Sequence, residues 1–252
     1  MIIERMVKVG VLVLLIIAIA SVPAVAKSNL INGYQEINAT KLKTIMDESD
    51  PLVVFPLSSI EFNDLHIAGS VNIPLHALNE QLPTDKERTL VFYCLGMKCT
   101  ASWRAAEKAV KFGYSNVFAF RAGLPAWVAA GYPTVSTVKL PKVDVEKIST
   151  DKLYGMVEGD DDIVVLDVCL KRDAEKFWID SPKRIHIPLD ELEARINEIP
   201  KDKKIAVICL KGKRSPTAIR YLTAKGFTDL LSIKGGMQQW ILEGKPVKTK
   251  SS

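Results

Sequence analysis

The sequence predicts an α/β protein built as two similar domains, each a mainly parallel sheet with helices on both faces. Two observations carry this. Short apolar, β-branched runs alternate with stretches of helical length, the pattern that stacks strands in parallel under covering helices. The chain also repeats itself. "GLPAWVAAGYP" from Gly123 and "GMQQWILEGKP" from Gly236 share G-x-x-x-W-x-x-x-G-x-P, and "VNIPLHAL" (71–78) pairs with "IHIPLDEL" (185–192). Cys94 and Cys209 each close an apolar run, and the three pairs recur in one order at nearly one spacing.

Each copy follows one plan. A polar helix ("ATKLKTIMDE", "STDKLYGMVEG") leads into a β-rich run ("LVVF", "IVVLDV"). A short irregular piece and an extended Ile-Pro segment come next, then a second apolar run ("TLVFYC", "IAVICL"). A helix over 100–112 or 216–225, a strand ("NVFAF", "LLSI") and a closing helix around Trp127 or Trp240 complete it. These elements place the first domain at 34–134 and the second at 146–247. The stretch 135–145 lacks a helical period, holds Pro141 and reads as the linker.

At 252 residues, 48% hydrophobic and 25% charged, the chain is an ordinary globular one. The net charge of +5 is dispersed, which argues against a nucleic-acid partner. At the N-terminus, Arg5 and Lys8 precede an uncharged run to Ala24-Val25-Ala26, the pattern of a signal peptide (1–26) cut before Lys27. The alternative is a retained membrane anchor over 9–26. Either way, a periplasmic or extracellular location is expected. In an oxidising compartment, Cys94, Cys99, Cys169 and Cys209 could form disulfides. There is no C-x-x-C, and His66, His76 and His186 are not spaced as ligands around these thiols, so neither metal nor cofactor is expected.

The chemistry concentrates in "ICLKGKRSP" (208–216). Cys209 ends a buried strand, and Ser215 with Pro216 reads as a helix start, Ser as N-cap. The positive end of that helix, the inward-turned N–H groups of a tight glycine loop and the charges of Lys211, Lys213 and Arg214 all favour a thiolate over the free thiol. They would also hold an anionic substrate. Gly212 is expected to adopt a backbone conformation that a Cβ resists. Alone, such a cysteine could equally be a small buried apolar residue beside solvated lysines.

The chain resembles the tandem rhodaneses over both repeats. Cys209-Leu210-Lys211-Gly212-Lys213-Arg214-Ser215 is similar to the family's C-x-x-G-x-R-S loop, and "GGMQQWILEGKP" to its closing motif. "EFNDLHIAGSVNIP" in the first repeat is similar to the family's E-F-x-x-G-H-I-x-G-A-x-N-I-P, with Asp64-Leu65 departing at the first Gly. The resemblance implies sulfur transfer: a cysteine attacks a sulfane sulfur donor such as thiosulfate or a polysulfide, holds a persulfide, and passes it to a thiol, cyanide or a sulfur-accepting protein. Cysteine phosphatases use C-x5-R, whereas four residues separate Cys209 from Arg214, a smaller ring suited to a sulfur atom.

The first copy departs from that loop. In "YCLGMKCTASWRAA", Gly96 stands one place early, Met97 takes the Gly position and Cys99 the Arg position, leaving Lys98 as the loop's cation. Pro56 replaces the counterpart of Asp167. Cys94 reads as a second nucleophile or as a disulfide partner or relic, and Cys99 as its disulfide partner, a resolving thiol or a buried residue. Cys169, at the carboxyl end of its own strand, reads as a resolving thiol facing the Cys209 cleft or as a replacement for an arginine usual in the family. Phe177 and Trp178 wall the cleft or belong to the core. A sulfurtransferase is the leading function, ahead of a persulfide carrier with little turnover, a thiol–disulfide protein and a non-catalytic scaffold.

Overall fold

The computed structural model describes residues 30–250, so the leader expected at 1–26 lies outside the described residues. The first sheet runs Leu30–Ile31, Tyr34–Glu36, Val117–Phe120, Leu90–Tyr93, Leu52–Phe55, Val71–Asn72, with only the first pair antiparallel. The second runs Lys147–Ile148, Leu230–Ile233, Lys204–Ile208, Ile163–Asp167, Arg184–His186, wholly parallel. Apart from the added hairpin strand, the order is the same. The repeat in the sequence is a repeat of topology.

Local chemistry explains the elements. The opening helices, Ala39–Glu48 and Thr150–Glu158, begin at Asn38 and Ser149, whose side chains accept the N–H of Lys41 and Lys152. The central strands are apolar on both faces, as strands covered by helices on two sides must be. Alternate residues then serve separate cores. Val164, Leu166, Ile205 and Val207 pack with Ala218, Ile219 and Leu222 of one helix, while Ile163, Val165, Ala206 and Ile208 pack with Met237 and Trp240 of another.

The repeated closing motif has a mechanical basis. Trp127 and Trp240 are buried, and each indole N–H donates to a proline carbonyl six residues on, Pro133 at 2.9 Å and Pro246 at 2.8 Å. That bond folds the chain back under the helix and leads it into a two-residue antiparallel clip, His66–Ile67 with Thr134–Val135 in the first domain and Phe177–Trp178 with Lys248–Thr249 in the second. Phe177 and Trp178 are therefore half-buried strand residues.

The domains dock through the helix Ser59–Asp64 of the first. Ser58 and Glu61 form a reciprocal capping box that fixes its start. Ile60 inserts into the second domain's core beside Leu140 and Ala218. Asp64 accepts both ends of the Arg220 guanidinium at 2.6 and 3.0 Å and also the Leu140 N–H at 3.0 Å, while Ser59 donates to Glu193 at 2.9 Å. Asp64, the departure from the family pattern, is a clasp between the domains.

Candidate active site

The Cys209 loop joins the Lys204–Ile208 strand to the helix Ser215–Ala224. Hydrogen bonds from the closing helix hold it: Met237 N–H donates to the Cys209 carbonyl at 3.0 Å and Gln238 N–H to that of Leu210 at 2.9 Å. Gly236 comes so close that a Cβ there would lie 2.0 Å from the Cys209 carbonyl oxygen and 2.8 Å from the Gly212 nitrogen. Gly212 itself has φ +66°, the left-handed conformation expected of it. Gly123 repeats the first arrangement below Cys94, at 2.1 Å from the carbonyl oxygen.

The Cys209 sulfur, 2% exposed, accepts the backbone N–H of Arg214 at 3.3 Å and of Ser215 at 3.4 Å, with the Ser215 hydroxyl at 3.7 Å. Ser215 is not the N-cap: it is the first helical residue, and Arg214 occupies the cap without a side-chain bond. The N–H groups of the cap residue Arg214 and of the first helical residue Ser215 point at the sulfur. Negative charge on that atom meets two N–H dipoles and a helix start.

The cations divide. Lys211 and Lys213 are exposed and form no ion pair among the described residues. Arg214 turns away from the loop: its guanidinium pairs with Asp190 and with Glu61 of the first domain, at 3.4 Å for the latter. Its Nε and Nη1 remain buried without a protein partner. Glu61 and Asp190 escaped the sequence reading, because acidic residues in a helix and after an Ile-Pro segment look like solvated surface. Two openings are present among the described residues, the first of them at the loop. One of about 340 Å³ is lined by Phe177, Leu210, Lys211 and Gln238; the other, about 790 Å³, lies between the domains and is lined by His76, Arg104, Lys108, Lys171 and Arg172 among others.

All four cysteines are free thiols. Cys169 is buried in the cluster with Trp240, not in the one that holds Cys209, and burial followed by the neighbouring Asp167 carboxylate pushes its thiol far up. Its N–H donates to Asp167, which also takes Arg184 in a buried ion pair. The Cys209 sulfur is near enough for its negative charge to raise Cys169 further, so this thiol is in the core and beside Cys209 at once.

In the first domain, Cys94 is fully buried with Ser102 Oγ 3.5 Å from its sulfur. Ser102 and Ser215 are thus equivalent, which corrects the alignment of the loops. Cysteine and serine are eight residues apart in the first copy and six in the second, so the first loop is two residues longer. Ala101, not Cys99, stands where Arg214 does. The Cys94 sulfur faces the carbonyls of Cys99 at 3.7 Å and Gly96 at 4.0 Å. The neighbouring Cys99 side chain lowers the Cys94 thiol, and the same neighbour relation together with burial raises that of Cys99. Lys98 is exposed and makes no ion pair among the described residues.

Comparison with known proteins agrees with this geometry. The Rhodanese-like domain model matches residues 34–130 and 149–243, and the chain belongs to that family. It is 34% identical over 96 residues to YrkF of Bacillus subtilis (strain 168), provisionally named a sulfur carrier protein; the match covers 38% of this chain and 51% of that one, so the chain spans about half of that relative. It is 27% identical over 103 residues to "Sulfurtransferase" of Allochromatium vinosum, covering 41% of this chain and 94% of the relative. It is 33% identical over 78 residues to "Thiosulfate sulfurtransferase GlpE" of Pseudomonas syringae pv. syringae, covering 31% and 71% respectively. Sulfur transfer through a cysteine nucleophile is the general chemistry this homology supports.

Proposed function

We propose that the protein moves sulfane sulfur from thiosulfate, or a similarly small sulfur anion, to a thiophilic acceptor through a persulfide on Cys209. The observation that carries this reading is the pair of N–H donors on the Cys209 sulfur, at 3.3 and 3.4 Å. The thiolate attacks the outer sulfur of thiosulfate, the S–S bond breaks and sulfite leaves with the electron pair. A nucleophile such as cyanide or a thiolate then takes the outer sulfur and returns the Cys209 thiolate. Lys211 and Lys213, exposed and without an ion pair among the described residues, attract the dianion, and the two backbone donors receive the charge carried by the sulfur.

A carrier that delivers sulfur to a protein partner is the second reading, favoured by the similarity to YrkF. We further propose that the domains work outside the cytoplasm, on the strength of the leader pattern in 1–26. Among the described residues, no helix is long and apolar enough to cross a membrane, and no three His, Cys, Asp or Glu side chains gather as a metal site.

Intact mass of the reduced protein after thiosulfate treatment tests the persulfide. The Cys94→Ser protein should gain one sulfur and the Cys209→Ser protein should retain none. A gain that survives Cys209→Ser and disappears in Cys94→Ser reverses the assignment. Steady turnover with cyanide supports the enzyme, and a single loading without turnover supports the carrier.

A further inference from the structure

The first domain holds a second pair of reactive groups that the Cys209 reaction does not use. Its loop is two residues longer than its counterpart, and the extra length brings a second thiol back over the first. Cys99 N–H donates to the Gly96 carbonyl at 2.9 Å, closing a turn that sets the Cys99 carbonyl 3.7 Å from the Cys94 sulfur. The Cys99 side chain is half-buried and packs against the cluster that contains Cys94. Only four residues lie between the two cysteines, a span short enough to let their Cα atoms come within the roughly 7 Å that a disulfide allows. Burial does not set Cys94 apart from Cys209, since one is 0% and the other 2% exposed. In the loop between the two cysteines, Leu95, Met97 and Lys98 are exposed.

We propose that Cys94 and Cys99 form a dithiol site that converts sulfane sulfur into sulfide, an activity distinct from transfer at Cys209. The Cys94 thiolate takes the outer sulfur of thiosulfate and sulfite leaves. The Cys99 thiol passes its proton to the outer sulfur and, as the thiolate, attacks the Cys94 Sγ; the bond from Cys94 to the outer sulfur breaks, and that sulfur departs with the electron pair as hydrosulfide. A Cys94–Cys99 disulfide remains. The sulfane sulfur is reduced, the two cysteines are oxidised, and a small dithiol or a protein dithiol returns them to thiols for the next cycle. Cys94, lowered by its Cys99 neighbour, is the better first attacker, and Cys99 holds its proton until the persulfide has formed and then gives it to the leaving sulfur.

The test uses the full chain with Cys209→Ser, so that the second domain is silent and the outcome does not depend on the reading of Cys209. The reduced protein is treated with thiosulfate without air, and sulfite, sulfide and peptide masses are measured. Trypsin cleaves after Lys98, separating TLVFYCLGMK from CTASWR, so a Cys94–Cys99 bond appears as two joined peptides. The expected result is one sulfide for each sulfite, together with the joined pair. With Cys99→Ser added, sulfite should still form, but Cys94 should keep the extra sulfur and sulfide should not appear. A stable persulfide on Cys94 beside a free Cys99 overturns the proposal. So does the absence of sulfite, or a joined pair that forms equally well without thiosulfate and without sulfide.

Discussion

The two cysteine loops leave equivalent strands, enter equivalent helices and rest on equivalent glycines, yet they surround their sulfurs differently. Around Cys209 the backbone provides the donors, the N–H groups of Arg214 and Ser215. Around Cys94 the longer loop presents the carbonyls of Cys99 and Gly96, and the neighbouring Cys99 thiol joins the side chain and backbone of Ser102 in lowering the thiol. A backbone cradle is fixed by the fold and serves any anion of the right size. A thiol donor is itself consumable, because it can form a bond to the sulfur it assists. Two added residues are enough to move a site from the first kind to the second.

The sharpest way to break this comparison is to remove the Arg214 side chain while keeping its N–H. Arg214→Leu would leave Glu61 and Asp190, 2% and 9% exposed, without their cation. Stranding a buried ionic partner costs about 3–5 kcal/mol, which denaturant unfolding should show. Adding Glu61→Gln and Asp190→Asn should recover much of it, and the recovered protein should still load sulfur on Cys209. If the recovered protein cannot load at all, the guanidinium and not the backbone makes the site.

Gly236→Ala and Gly123→Ala compare the loops directly. Each places a Cβ against a loop carbonyl, at 2.0 and 2.1 Å, at positions with φ of +63° and +60°. The left-handed backbone alone costs a residue with a Cβ about 1–3 kcal/mol, and the contact forces the loop to shift. Loading of Cys209 should fall in Gly236→Ala and survive in Gly123→Ala. Equal loss in both would mean that the domains fold as one unit and that the loops cannot be perturbed separately.

How much of this was legible in advance follows from the range of the interactions involved. The strands, helices and Trp motif are written in local periodicity and in a repeat, and the structure places them where that pattern does. Ser215 was misread as an N-cap because Ser-Pro before an apolar helix has the same sequence whether its N–H groups serve the helix or a sulfur. Cys99 was aligned with Arg214 by counting forward from the cysteine, when the fold fixes the loop at both ends and Ser102 marks the other end. Glu61 was out of reach for another reason: it meets Arg214 across 153 residues and a domain boundary, and no local signal records such a pair.

Changing Cys99 to Ala sharpens the comparison through pH. Its thiol stabilises the Cys94 thiolate, so Cys94 lies below the ordinary thiol range while the donor is present. Without it, Cys94 should ionise at higher pH, and the pH dependence of its alkylation by iodoacetamide should move upward. The alkylation profile of Cys209, which no side-chain thiol assists, should not move. An unchanged Cys94 profile would mean that the Cys99 thiol does not assist it.

The smallest effect concerns the clasp at Asp64. Asp64 and Arg220 are 20% and 29% exposed, so solvent screens much of their attraction, and the pair itself is worth about 1 kcal/mol. Arg220 also donates to the carbonyls of Leu140 and Pro141, contacts that Asp64→Asn leaves in place. That variant should therefore lower stability by only about 1 kcal/mol and leave the Cys94 chemistry intact. Its consequence should appear at the boundary, as faster amide hydrogen exchange at Leu140, whose N–H Asp64 accepts, and along the helix Ser59–Asp64 that also carries Glu61 to Arg214. If exchange there is unaltered, Ile60 and the Glu61–Arg214 contact hold the domains without the clasp. Exchange that spreads to the Cys209 loop would instead show that the first domain steadies the cradle of the second.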